Sequence, residues 1–117
     1  MTRWFFPRVP LTQNQRERVG WRALSSNKKR WSELVGLIAK HNPNPPPERV
    51  LLTITIKRPR RQDPGNREGS VKPLVDAINQ HGWLVDDDDK HLELIVHEVS
   101  GGTKSKHGAY VDWEPLL

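Results

Sequence analysis

The 117-residue chain contains no cysteine. That excludes disulfides, a thiol nucleophile and any cysteine-based zinc site, and it fits a reducing, cytoplasmic setting. Beyond five tryptophans there are only two phenylalanines and one tyrosine. Only 34% of residues are hydrophobic, and mean hydropathy is −0.76. So little apolar material supports one modest core and rules out a second. A single domain over residues 1–117 is therefore expected, with a dimer interface able to bury more. The apolar residues are clustered and periodic, which separates the chain from disordered compositions. No apolar run approaches the ~20 residues of a membrane span. The opening Met1-Thr2-Arg3-Trp4 lacks a signal-peptide apolar stretch. There is no Gly-rich phosphate loop, zinc-finger spacing or Ser-His-Asp arrangement.

Charge is present, and unevenly. Residues 1–62 hold 14 Lys/Arg against 3 Asp/Glu, a net of +11. Residues 63–117 hold 5 Lys/Arg against 11 Asp/Glu, a net of −6. A basic half suits a polyanion, and an acidic half gathers carboxylates that can hold a metal ion beside it. A solvated surface with uneven charge order would give the same counts.

The periodicities predict a small mixed α/β (α+β) fold, a β-sheet packed with two helices. Trp4–Pro10, interrupted by two prolines, suits a brief edge strand. Thr12–Arg22 is polar and basic, and reads as a loop or an arm that orders on binding. Ser25 or Ser26 can cap a helix reaching Lys40, with Trp31, Leu34, Val35 and Ile38 as its apolar stripe. His41 to Pro47 ends it. Val50–Lys57 alternates as a strand. After a basic loop, Ser70 can cap a second helix with a Val71, Leu74, Val75 and Ile78 stripe, stopped by Gly82. Trp83–Asp89 is an acidic turn. Strands follow at His91–Val99 and Lys104–Trp113.

Chemistry concentrates between Arg58 and Lys90. Carboxylates lie at both ends of the second helix, which at 1.5 Å per residue separates them by about 18 Å along its axis. They meet only if the connections fold back. If they do, Asp63 and Asp87 can share Mg²⁺, or Mn²⁺ in its place. Mg²⁺ is a hard cation that takes oxygen ligands, few of them from protein. Lys72 would neutralise phosphoryl oxygens or help place a water. Asp63 before Pro64-Gly65 is equally an ordinary turn residue. Asp76, four residues after Lys72, reads as its structural partner rather than a ligand. Asp86 to Asp89 is often just a solvated face, although adjacent unpaired carboxylates repel unless a cation is near. His91, Glu93 and His97 would share a strand face; exposed polar residues explain them more simply than a transition-metal site does. Trp31 falls on the helix stripe. Trp21, in the basic segment, is placed to stack on a base.

The segment Lys72-Pro73-Leu74-Val75-Asp76-Ala77-Ile78, followed by Gly82 and Asp86-Asp87, resembles the RusA-like Holliday junction resolvases, small dimeric endonucleases of bacteria and phages. Pro10 to Asn14, the strand before the basic loop and the order of elements extend the resemblance over most of the chain. It implies a homodimeric, Mg²⁺-dependent crossover junction endodeoxyribonuclease. Such an enzyme hydrolyses phosphodiesters in paired nicks across four-way junctions, in DNA recombination and repair. It implies Asp63, Lys72 and Asp87 as catalytic residues, and Asp63, Asp86 and Asp87 around the metal, with Glu68 as a candidate fourth carboxylate where the chain departs from the family pattern. Arg58, Arg60, Arg61, Arg67 and Lys72 would contact DNA phosphates. The implied partner is branched DNA, with no membrane and no organic cofactor, in the cytoplasm of a bacterial cell or phage-infected host.

One departure stands out. The family shows Asp-x-Asp-Asn with the lysine three residues after the Asn. Here the stretch is Asp63-Pro64-Gly65-Asn66, with Lys72 six residues after Asn66. One register keeps Asp63 as first ligand, lets the loop bulge and recruits Glu68 as the second carboxylate. In the other the site lacks a ligand, and the chain is a weakened or inactive homologue that binds branched DNA without efficient cleavage.

Overall fold

The computed structural model describes residues 2–60 and 67–116. Four strands form one mixed sheet: β1 (Thr2–Phe6), β2 (Val50–Arg58), β3 (Leu92–Ser100) and β4 (Gly108–Pro115). Their spatial order is β1-β4-β2-β3. β4 runs antiparallel to both β1 and β2. β3 runs parallel to β2, with Ile54 opposite Val96. A parallel neighbour needs a crossover, and α3 (Arg67–Gln80) supplies it. Two further helices, α1 (Gln13–Arg18) and α2 (Trp21–Gly36), lie between β1 and β2 in sequence. The architecture is thus the expected mixed α+β one. Among the described residues no helix is long and apolar enough to cross a membrane.

The core lies between the sheet and the α2–α3 pair. β2 alternates strictly, burying Val50, Leu52, Ile54 and Ile56. All four stripe residues of α3, Val71, Leu74, Val75 and Ile78, are buried against it, as are Trp31 and Val35 of α2. Leu34 and Ile38 pack on the cluster's margin. The opposite sheet face carries Phe5 packed on Tyr110, ring centroids 4.7 Å apart, and Arg3 ion-paired with Asp112 at 2.6 Å.

Several boundaries differ from the sequence reading. Within the expected Thr12–Arg22 loop, α1 forms. Thr12 Oγ1 accepts the Gln15 N–H and Gln15 Oε1 accepts the Thr12 N–H, a reciprocal capping box. α2 starts at Trp21 rather than Ser25, with Gly20 as N-cap. α3 starts at Arg67, so Ser70 does not cap it; its hydroxyl donates to Arg67 O from inside the first turn. Lys104–Lys106 is a 3-10 turn, and the last strand begins at Gly108. Gly82 does stop α3, at φ +84°. The Trp83 N–H donates to Ile78 O and the Gly82 N–H to Asn79 O, the paired bonds of a Schellman motif.

Pro73 sits inside α3. It has no N–H, so Gly69 O, four residues earlier, loses its helical partner. Arg16 Nη1 donates to that oxygen at 2.6 Å and ties α1 to the first turn of α3. Arg16→Ala leaves a part-buried carbonyl without its donor, a cost of about 1–3 kcal/mol. Chemical denaturation should show that loss, while Arg18→Ala, an exposed neighbour, should stay within about 0.5 kcal/mol.

Candidate active site

On α3, Glu68, Lys72 and Asp76 follow one another at intervals of four residues and so share one helix face. Lys72 Nζ lies 3.6 Å from Asp76 Oδ1, an exposed and loose pair. After the Gly82 stop, the chain returns through an acidic turn to the start of β3. This return is what carries Asp87 back to the helix. Glu68, Lys72, Asp87 and Asp89 line one open cavity of about 450 Å³, backed by Val75, Leu92 and Leu94. A cleft of about 440 Å³ beside Arg8, Arg30 and Leu37 is as large. What distinguishes the first is the convergence of titratable groups from both ends of one helical connection.

The Asp87 carboxyl is held above its ordinary range. Desolvation against the cavity wall contributes most, then its bond with Asp86 and the charge of Asp76; Lys72 opposes them. Asp76 therefore belongs to the electrostatics of the site as well as pairing with Lys72. The other acids of the turn have structural work. Asp86 Oδ1 accepts the backbone N–H of Asp87 at 2.7 Å. Asp88 Oδ1 accepts the His91 N–H at 3.1 Å and faces His91 Nδ1 at 2.5 Å. The His91 hydrogen bond holds the Asp88 carboxyl below its usual range. So the run of four aspartates divides: Asp86 and Asp88 shape the turn, and Asp87 and Asp89 face the cavity.

Arg58, expected at the surface beside the site, is 4% exposed. Its Nε lies 2.8 Å from Glu98 Oε1, a carboxylate that is itself fully buried. Arg67 Nε lies 3.5 Å from the other oxygen of Glu98. Both arginines are thus occupied by an interior carboxylate. Arg60 remains exposed. Arg61 and Asp63 lie outside the described residues, as do Gly65 and Asn66. The signal for Arg58 was available: it shares the inward parity of Val50, Leu52, Ile54 and Ile56, and Glu98 shares that of Leu92, Leu94 and Val96.

His91, Glu93 and His97 do not come together. His91 faces Asp88, Glu93 pairs with Arg49 at 3.9 Å, and His97 is exposed on β3. Among the described residues no three His, Cys, Asp or Glu side chains are grouped to hold a metal ion. The carboxylates at the cavity are those of Asp87, Asp89 and Glu68, with Asp76 near Asp87 and about two turns of α3 from Glu68. Compared with known proteins, the chain matches no family model and no curated protein.

Proposed function

We propose that the chain is a Mg²⁺-dependent, structure-selective DNA endonuclease that nicks four-way junctions as a homodimer, acting in the bacterial or phage-infected cytoplasm. The observation that carries this reading is the meeting of Asp87 with Lys72 and Glu68 in one cavity, from opposite ends of α3. Lys72 and Asp87 also carry the sequence resemblance, and Glu68 stands where the chain departs from it. A carboxylate whose pKa is raised partly by neighbouring negative charge fits a cation, because a divalent ion would remove the repulsion. Carboxylate oxygen is the donor type that Mg²⁺ takes.

In this reading Asp87, Glu68 and Asp63 would hold the ion, with Asp86 setting the turn that presents Asp87. When bound, Mg²⁺ supplies Lewis-acid polarisation of the phosphodiester and a more acidic water. The protein's own groups bind and orient. Lys72 is 65% exposed and only loosely paired, so its ammonium is available to a phosphate oxygen. Arg60 adds a backbone contact that brings affinity without base specificity. A two-fold protein matches a two-fold junction and places one site on each of two opposed strands.

The test is cleavage of a synthetic four-way junction against linear duplex of the same arms, with Mg²⁺, Mn²⁺ or excess chelator. Metal-dependent nicking confined to the junction is expected. Undiminished cleavage in chelator would sink the metal reading; junction binding without cleavage would leave a binding module. Glu68→Gln should slow cleavage by on the order of 10²-fold, the scale of losing one placed charge-stabilising group, with junction affinity unchanged. Wild-type cleavage by Glu68→Gln would remove Glu68 from the ligand set.

A further inference from the structure

Four of the five tryptophans are accounted for by packing. Trp31, Trp83 and Trp113 are buried, and Trp4 stacks edge-on against Trp83 with centroids 4.5 Å apart. Trp21 is different: it is 73% exposed. At 100° per residue it lies about 80° around the α2 axis from Trp31, on the margin of the apolar stripe. It escapes burial because the buried part of α2 begins only at Asn27. The first turn of the helix projects beyond the core and holds a large aromatic in water.

Its surroundings are cationic. The Arg22 guanidinium lies 5.4 Å from the Trp21 ring centroid, in a cation–π arrangement. Between residues 12 and 30 there are six cations, Arg16, Arg18, Arg22, Lys28, Lys29 and Arg30, against the single acid Glu17. An exposed ring in such a field suits a ligand with both a π face and negative charge. A nucleic-acid strand presents both at every nucleotide, whereas a protein surface presents them only where an acidic patch adjoins an aromatic or apolar one. The corner is also tied to the cavity wall through α1. Arg16 is bonded to Gly69 of α3, and five residues of chain put Trp21 Cα within about 18 Å of Arg16 Cα.

We propose that Trp21 is a stacking platform for an unpaired nucleobase of a bound strand, with Arg22 bracing one side of the ring and reaching the adjacent phosphate. The inference rests on the reading of the chain as a DNA-binding protein, but not on cleavage. Every base presents a π face, so the contact is indifferent to sequence and sensitive to strandedness. A base stacked in a duplex is not available to it; a base freed at a branch point is.

Trp21 is the one strongly exposed tryptophan, so its emission is the difference between the wild type and Trp21→Phe. Oligo(dT) of about 12 nucleotides and a 12-base-pair duplex are titrated in chelator, with anisotropy of labelled DNA reporting binding and fluorescence reporting Trp21. Oligo(dT) is expected to quench the Trp21 emission by half or more. Trp21→Ala should weaken oligo(dT) binding by on the order of tenfold, with most of the affinity kept in Trp21→Phe and duplex affinity changed less than twofold. DNA binding without quenching overturns the platform and leaves the nuclease reading intact. Equal loss on both DNAs makes Trp21 a general contact and also overturns it. Conversion of an associated wild type to monomer by Trp21→Ala would assign the residue to a protein interface instead. Quenching by a protein that never cuts junctions supports the platform and sinks the nuclease reading.

Discussion

Asp87→Asn is expected to lower junction cleavage by on the order of 10³-fold while leaving junction affinity equal or higher, and to leave the metal-free protein at neutral pH as stable as the wild type or slightly more so. The two effects have one origin. The folded protein holds the Asp87 carboxyl above its ordinary range, chiefly through desolvation, the bond with Asp86 and the charge of Asp76. A carboxylate raised in this way costs the fold as it ionises. The cost is absent below the unfolded pKa, grows as pH rises toward the folded pKa, and persists above it. Asn keeps the shape and removes the charge, but Asp87 is exposed and solvent screens most of the cost, so at pH 7 its melting temperature should equal or only slightly exceed that of the wild type. Below about pH 3.8, where both forms are neutral, the two melts should converge. Added Mg²⁺ should raise the wild-type melting temperature, because a ligand of the native state stabilises it, and should leave Asp87→Asn unmoved. Cleavage retained by the variant would remove Asp87 from catalysis. Loss of binding in step with cleavage, in a folded variant, would make Asp87 a structural residue.

Glu98→Ala is the change expected to damage the fold most. The Glu98 side chain is fully buried, and Arg58 beside it is nearly so. Burial pulls the Arg58 guanidinium below its ordinary pKa and the Glu98 charge pulls it back up. Removing the carboxylate leaves a buried cation without its counter-charge, a loss of about 3–5 kcal/mol. A domain of this size has about 5–15 kcal/mol in total, so the variant should be unfolded in part at 37 °C. Urea denaturation measures it directly. Arg67→Ala should cost less, since its side chain is a quarter exposed and its Nε is 3.5 Å from the carboxylate. The paired replacement Arg58→Met with Glu98→Leu should recover part of the loss, because it removes the buried Arg58 charge and leaves without its carboxylate only Arg67, whose quarter-exposed side chain water can reach. A Glu98→Ala protein as stable as the wild type would mean that water reaches Arg58.

Much of the fold could be read locally because its signals are local. The alternation of Val50 to Ile56 and the 3,4-spacing of Val71, Leu74, Val75 and Ile78 each express one element's own period. Gly82 stops its helix through its own backbone freedom, and the one distant contribution, Asn42 Nδ2 donating to His81 O at 2.8 Å, is not legible from local pattern. The short helix α1 was missed and read as a loop: the Thr12–Gln15 capping box marks its start, but its polar residues bury little and the periodicity is silent there. The start of α2 was not legible, because Gly20 provides no side-chain cap and Ser25 is an equally good signal.

The sequence by itself determined the mixed α+β class, the inward faces of β2 and α3, the absence of any cysteine chemistry, and the gathering of carboxylates around one lysine-bearing helix. Only the tertiary structure decided which of those groups meet. That Asp87 returns to the Lys72 face depends on the path of the chain between Gly82 and Leu92. That path is set by where β3 pairs with β2, a contact some forty residues away in sequence. Arg58 shows the same limit from the other side. A basic residue beside other basic residues looks like a phosphate contact until the neighbouring strand supplies Glu98 across the sheet. Charge order along a chain is one-dimensional, and a charge's role is fixed by the partner that folding places within a few ångströms of it.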